Sequence, residues 1–484
     1  MSNFTLTVPS SLAMASTKHV LLFPFPAQGH LGAFMSLAEL LHRAIPSAAV
    51  TLVSPPRNVA ALSATAPPWL AFHSLPFNPA DHGLPTHAES ADALPVGFPL
   101  VTLFEAFEAL QPAFDGYVAS MAKDDSVVSI VSDLFVAWAA SVARRNGCSH
   151  AFFASCGAFG TAILRSLWEN VPLSVTPTGH VPVPGFPGKI FHKTQVSEVM
   201  LRADGEDRAS AFCHRQIAHS HATDGVLINT VEEFEPTGLG LLRSSLRVPV
   251  WPIGPLIRVA GARPAASADK VHDGMVSWLD TQPPASVLYV SFGSQNSIRQ
   301  AQMAVLAMAL EHAGRPFIWA IRPPVGLAVA ASEWLPEGFE KRARDENRGL
   351  VIRGWAPQVT ILAHRSTGAF LSHCGWNSVL ESLVHGVPLL GWPLAADQFY
   401  NVEMLEKECG VCVEVARGST ENAAPPEIDR VAELVETVMG QTSKAAEMRR
   451  RMKCIGELMR GAATGDVGSS KKALESFLGA TRMH

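Results

Sequence analysis

Charge is scarce in this chain. Asp, Glu, Lys and Arg make up 17% of its 484 residues, against about 25% in an ordinary soluble domain. With 48% hydrophobic residues, that excludes a largely disordered polymer, which would be charged and poor in apolar side chains. A basic excess is missing too. The 38 Lys and Arg against 43 Asp and Glu leave a formal charge of −5, so nothing draws the chain to a phosphate backbone and nucleic acid is not an expected partner. No apolar run reaches the ~18–20 residues of a membrane span. Cysteine is sparse and odd in number, seven in all, which suits free thiols in a reducing compartment, and a cytoplasmic location is expected. Cys409 and Cys412 make a C-x-x-C match that runs into VCVEV, a strand pattern, and no second pair or His cluster completes a metal site. The first 17 residues lack a basic region followed by a long apolar core. They read as a disordered extension (1–17), with a weak transit-peptide flavour, Met14 as an alternative start and an Asn3-Phe4-Thr5 triplet that means nothing without secretion.

What is present is alternation. At about 150 residues per domain the length allows about three domains, and two large ones is an ordinary outcome. Short β-branched runs alternate with helical stretches, the pattern of a mostly parallel sheet with covering helices. Strands are expected at Lys18–Phe25, Ala48–Ser54, Val127–Ser132, His150–Ala154 and Val226–Ile228, with helices at Leu31–His42 and Phe135–Arg145. A proline-bearing linker, Val250–Pro255, and a loop, Gly261–Asp269, follow. The alternation then restarts with strands at Ser286–Phe292, Phe317–Ile321, Leu350–Ile352, Ala369–Ser372 and Pro388–Gly391. Helices are expected at Gln300–His312, from Trp376 and beyond Pro426, and surface loops at Arg322–Ser332 and Gly418–Pro425. The fold class is α/β, two doubly wound domains facing each other. Ligands of such sheets sit beyond the carboxyl ends of the strands.

The strand-to-helix junctions therefore deserve the closest reading. Pro24-Phe-Pro-Ala-Gln-Gly-His30 puts a histidine at the start of a helix, where it is either a capped structural residue or a base titrating near neutrality. Asp133, beyond another strand end, is either the N-cap of the next helix or the carboxylate that orients His30. No G-x-S-x-G elbow marks a serine hydrolase. In the second half, Ser291-Phe-Gly-Ser294 ends a strand in small residues. Ser372-His-Cys-Gly-Trp-Asn-Ser378 opens a helix whose N–H groups and dipole favour a diphosphate, with His373 and Ser378 as further donors. Glu381 lies one turn on, a ribose ligand or a solvated helix residue. Trp355-Ala-Pro-Gln358 offers an indole for stacking a base, or a core Trp. Asp397-Gln398 offers two carboxylate oxygens and an amide for sugar hydroxyls. Four weak signals at successive strand ends of one domain point to one nucleotide-sugar pocket.

The 44 residues from Trp355 to Gln398, with HCGWNS, the following Glu and the terminal Asp-Gln, resemble the plant secondary product glycosyltransferase box of the family 1 UDP-glycosyltransferases. PAQGH, SDLF, WPIGPL and SFGS stand in the family's order, and the likeness runs from Lys18 to the C-terminus. The resemblance implies a GT-B fold: an acceptor domain (18–255), a UDP-sugar domain (256–465) and a final helix (466–484) returning to the first. It implies an inverting enzyme without metal or cofactor, with a UDP-sugar, glucose by the terminal Gln, and a small lipophilic plant metabolite, phenolic, flavonoid or terpenoid, as its partners. His30 would be the base and Asp133 its partner. Trp355, Ala356, Gln358 and Glu381 would hold the uridine, and Ser294, His373, Gly375, Asn377 and Ser378 the diphosphate. Trp376, Asp397, Gln398 and Ser155 would contact the sugar. The chain departs from the family after PAQGH, where Leu31-Gly-Ala33 replaces the usual Asn-Pro, and at Ser155-Cys156, where relatives often carry Thr or Ser.

The chemistry is coherent. A hydroxyl is too weak an acid to ionise at neutral pH, so a base helps, while the diphosphate leaves with its charge held by donors. One base opposite UDP means a single displacement, without the second carboxylate of a retaining glycosidase. A nucleotide-sugar-binding protein without transfer activity is the alternative, and a sugar-nucleotide epimerase a third reading. Phe72–Gly97 and Val171–Arg202, rich in Pro, Gly and apolar residues, are expected to be acceptor-facing loops.

Overall fold

This computed structural model describes residues 17–95, 97–123, 126–257, 268–325, 334–418, 423, 425–464 and 468–483, except for the side chains of 268–273 and 464. In chain order the first half gives β1 (Lys18–Phe23), β2 (Ala49–Ser54), β3 (Ala71–Ser74), β4 (Val127–Asp133), β5 (Ser149–Ala154), β6 (His180–Pro182), β7 (Ile190–His192), β8 (Gly225–Ile228) and β9 (Val250–Pro252). The second half gives β10 (Val287–Ser291), β11 (Phe317–Ile321), β12 (Gly349–Arg353), β13 (Thr367–Ser372), β14 (Leu389–Gly391) and β15 (Cys412–Glu414). A parallel sheet ordered β3-β2-β1-β4-β5-β8-β9 faces a second ordered β12-β11-β10-β13-β14-β15. The central strands are buried along most of their length and mainly apolar, because helices cover both faces. The helix Gln28–Ala44 buries Leu31, Phe34, Leu37 and Leu41 on one face and stops just before Pro46.

Register fixes where the site can be. Strand order reverses between β1 and β4 and again between β10 and β13, and the crevice beyond such a reversal is where doubly wound sheets bind ligands. Phe23 pairs with Ser132, so the residues after β1 and β4 emerge side by side. Ser291 pairs with Ser372, which does the same for SFGS and HCGWNS.

Several boundaries differ from expectation. β1 stops at Phe23 because Pro24 cannot donate to the ladder, and the helix begins at Gln28, so His30 sits inside its first turn. The helix expected at Phe135–Arg145 is a 3₁₀ turn, Leu134–Val136, followed by a helix at Ala139–Arg145. The supposed linker contributes β9, an edge strand where Pro252 is tolerated. Of the Gly261–Asp269 loop, Ala268 and Asp269 open the helix Ala268–Thr281. Residues 261–267, 326–332, 419–422, 424 and 1–16 lie outside the described residues. The stretch Val171–Arg202 is largely a seam between domains. β6 and β7 form a hairpin, Phe191 packs on Tyr400 at 4.9 Å, Lys189 pairs with Glu408 at 2.9 Å, and Gln195 donates to Glu403 at 3.2 Å. The helix Ser469–Ala480 returns to the first sheet, burying Leu474, Phe477 and Leu478 beside Trp251 and Ile253, and Ser476 accepts a hydrogen bond from the Trp251 indole at 3.1 Å. Among the described residues no helix is long and apolar enough to cross a membrane.

Candidate active site

At the first reversal the side chains of His30 and Asp133 meet, with Nδ1 and Oδ2 2.6 Å apart. The other carboxylate oxygen, Oδ1, accepts from the backbone N–H of Phe135 at 3.0 Å. Asp133 is thus cap and partner at once: the cap fixes the carboxylate, and the carboxylate fixes the imidazole. Asp133 is buried, while the His30 ring keeps 23% of its surface open. Burial works against a charged imidazolium, but the charge and hydrogen bond of Asp133, with the charge of Asp397 across the cleft, outweigh it and raise the pKa above the ordinary 6.5. Phenylalanines wall the dyad. Phe135 lies 5.7 Å and Phe25 6.0 Å from the His30 ring, and Phe104 stacks on Phe135 at 4.5 Å and on Phe212 at 4.9 Å.

At the second reversal the small residues have a steric purpose. A β-carbon on Gly293 or on Gly375 would lie 2.5 Å from His373 Nε2, so that ring is lodged between two bare backbones. Burial pushes its pKa down to about 4, which makes it a neutral donor, not a cation. Its Nδ1 is buried without a partner. The turn is tight: Gly293 has φ +78° and Cys374 φ +57°, and the Cys374 N–H bonds Ser372 Oγ at 3.0 Å. Ser294 is half-buried beside it. One turn into the helix Trp376–His385, Gln358 donates to Ser378 Oγ at 3.0 Å and to Glu381 at 2.7 Å, and its own oxygen accepts from Tyr289 at 3.3 Å. Glu381 is buried, not a solvated helix residue. Trp355 is 48% exposed, which rules out the core reading of that indole, and Ala356 is buried next to it, its carbonyl accepting from Gln358 N.

One expectation needs correction. The indole of Trp376 was expected on the sugar. It is buried, its N–H is bonded to the carbonyl of Asn229 at 2.6 Å, and its ring fills the space over Gly157. Asn377, expected at the diphosphate, donates from its side-chain amide, which carries two N–H groups, to the Gly29 carbonyl at 2.8 Å. Both residues reach into the opposite domain. Asp397 does meet the first domain: its charge acts on His30, and the thiol of Cys156 lies within hydrogen-bonding reach, its pKa well raised by burial and by the Asp397 and Asp133 charges. Asn401 holds Asp397 Oδ2 at 2.8 Å. Gln398 turns its oxygen to the N–H groups of Leu394 and Ala395. Ser155 is buried at the end of β5. Sequence reasoning missed Asn229, Gly157, Asn401 and Glu235. Glu235 is buried, with a pKa raised to about 6 by that burial, and caps the helix Ala158–Glu169 through Ala158 N and Phe159 N at 2.9 and 3.0 Å. None of the four carries a local signal, except that an Asn closing a strand is a turn residue.

A family profile described as "Glycosyltransferase, N-terminal domain" matches residues 17–258, and one described as "UDP-glucoronosyl and UDP-glucosyl transferase" matches 207–425. UDP-glycosyltransferase 92A1 of Arabidopsis thaliana is 40% identical over 475 residues, 95% of this chain and 96% of that one. This chain belongs to the plant family 1 UDP-glycosyltransferases. As expected of such a glycosyltransferase, the fold is GT-B. The structure of Phytolacca americana UGT2 complexed with UDP-2fluoro-glucose and pterostilbene superposes with a TM-score of 0.77 at 26% identity, covering 97% of this chain and 100% of that one. Crocetin glucosyltransferase 3 of Crocus sativus is also 40% identical, over 86% of this glycosyltransferase and 90% of its own length.

Proposed function

We propose that this glycosyltransferase moves glucose from UDP-glucose to a hydroxyl of a small lipophilic plant metabolite, phenolic, flavonoid or terpenoid, with inversion at the anomeric carbon. The observation that carries the proposal is the His30–Asp133 contact, 2.6 Å long, standing opposite the HCGWNS helix. A module that only held a nucleotide sugar has no use for an oriented base. With Nδ1–H donated to Asp133, Nε2 holds the lone pair and takes the acceptor proton. The acceptor oxygen then bonds to the anomeric carbon, and the bond from that carbon to the diphosphate oxygen breaks, UDP keeping the electron pair. The positive charge on the imidazole is offset by Asp133, and by Asp397 beyond it. N–H groups at the start of the helix Trp376–His385 hold the charge growing on the leaving group, a role we assign to them and not to a divalent ion. Trp355 is the platform for the uracil, Gln358 and Glu381 take the ribose, Ser294, His373, Gly375, Asn377 and Ser378 the diphosphate, and Asp397, Gln398 and Ser155 the sugar. The phenylalanines around His30 make the acceptor side apolar. All seven cysteines are free, which agrees with a reducing compartment, and we place the reaction in the cytoplasm.

Incubating the protein with UDP-glucose and a panel of phenolic, flavonoid and terpenoid acceptors, and following UDP release and the anomeric configuration of the product, tests the reading. Acceptor-dependent UDP release with a β-linked glucoside is expected. UDP binding without acceptor-dependent release would overturn it in favour of a binding protein.

A further inference from the structure

Trp376 and Asn377, consecutive residues in the first turn of the donor-side helix, both bond to backbone carbonyls of the other domain. We propose that the Trp376 indole sets the register of the two domains: it is a positioning residue that fixes how far His30 stands from the bound sugar, not a sugar contact. The proposal rests on the transferase reading above.

Its fit is that of a knob in a hole. A β-carbon on Gly157 would lie 2.6–2.8 Å from three carbons of the six-membered ring, so no other residue fits beneath it. The indole N–H reaches the Asn229 carbonyl at 2.6 Å. The hole is itself pinned. Asn229 exchanges side-chain hydrogen bonds with Leu256, accepting from its N–H at 2.7 Å and donating to its carbonyl at 3.2 Å. Gly157 is the N-cap of a helix whose first N–H groups are held by buried Glu235. A third point is supplied by Asn377 on Gly29, the residue before His30. Contacts at Gly157, Asn229 and Gly29 together leave the helix that carries the diphosphate donors no freedom to slide against the base. A displacement of about 1 Å is enough to cost about 10²-fold in rate.

Gly157→Ala places the obstruction in the acceptor domain, on a residue with no chemical role. Its backbone (φ −72°, ψ 162°) suits any residue, so the only strain comes from the ring. We expect kcat to fall about tenfold or more, with UDP affinity by calorimetry within about twofold. Adding Trp376→Phe, whose smaller ring stops short of the new methyl, should restore part of the loss. Trp376→Phe alone should lower kcat while leaving KM for UDP-glucose near normal. A wild-type kcat in Gly157→Ala, an equal loss of UDP affinity, or no recovery in the double variant would overturn the proposal, and a rise in KM for UDP-glucose with kcat kept in Trp376→Phe would return the indole to the sugar. Thermal melting of the same four proteins reads the contact without any transfer. Non-additive Tm shifts are expected, and additive ones count against the knob. If the wild-type protein transfers to no acceptor while the Tm shifts stay non-additive, it is the transferase reading that fails.

Discussion

The two walls of the cleft are built from the same kind of sheet, yet they are assembled differently. The rear wall draws almost all of the residues we assign to the donor from one stretch, Trp355–Gln398, which starts just after the end of β12 and holds the ends of β13 and β14. The front wall gathers His30, Asp133, Ser155 and Asn229 from four strand ends spread over 200 residues of chain. The difference teaches where each kind of specificity is written. A nucleotide is the same in every reaction, and a compact cassette can hold it. The acceptor side is a convergence of distant loops, free to vary one at a time.

Removing the base attacks the front wall alone. His30→Ala should lower transfer about 10²- to 10⁴-fold while calorimetry finds UDP binding unchanged; a parallel loss of UDP affinity would mean that the walls are not separable. The next effect is on pH. Because the His30 pKa is raised and only the neutral ring accepts a proton, kcat/KM should fall as the solution is made more acidic, with a midpoint above 6.5. Asp133→Asn keeps an oxygen for Phe135 N but loses the charge. Its acid limb should move to lower pH, because the charge that favours the imidazolium is gone, with a smaller rate loss than His30→Ala. A limb that stays put would leave Asp133 as a cap only. On the rear wall, Trp355→Ala should weaken UDP binding by about 1–3 kcal/mol with little change in kcat at saturating donor. The smallest effect is expected from Gln398→His, a loss of about 1 kcal/mol in kcat/KM for UDP-glucose; an unaltered donor profile would remove that amide from the sugar.

How much of this was legible beforehand follows the same division. Both sheets could be read from apolar runs at regular intervals, because a strand buried on both faces must be apolar throughout. Trp355, Gln358 and Asp397 could be placed beyond strand ends because one motif carries them. Trp376 was misassigned for a physical reason: an indole near a sugar site looks the same in a sequence whether it faces the ligand or a glycine of another domain. Gly157 and Asn229 gave no warning, since their importance lies in what packs on them from more than 140 residues away. Asp133 allowed two readings, and both hold, because a carboxylate has two oxygens and the fold uses each. The prolines of Val250–Pro255 hide a strand, Val250–Pro252, because it lies at the edge of the sheet where a missing N–H is tolerated.

The closing helix has a consequence for anyone dividing the gene. Leu474, Phe477, Leu478 and Met483 are all buried against the front domain, so the helix Ser469–Ala480 belongs to the half that opens with β1. A fragment cut at residue 257 would be born with an uncovered greasy stripe along Trp251, Ile253 and Leu256. Swapping halves between relatives therefore calls for two splice sites, not one, with the helix Ser469–Ala480 and the residues after it travelling alongside the front piece.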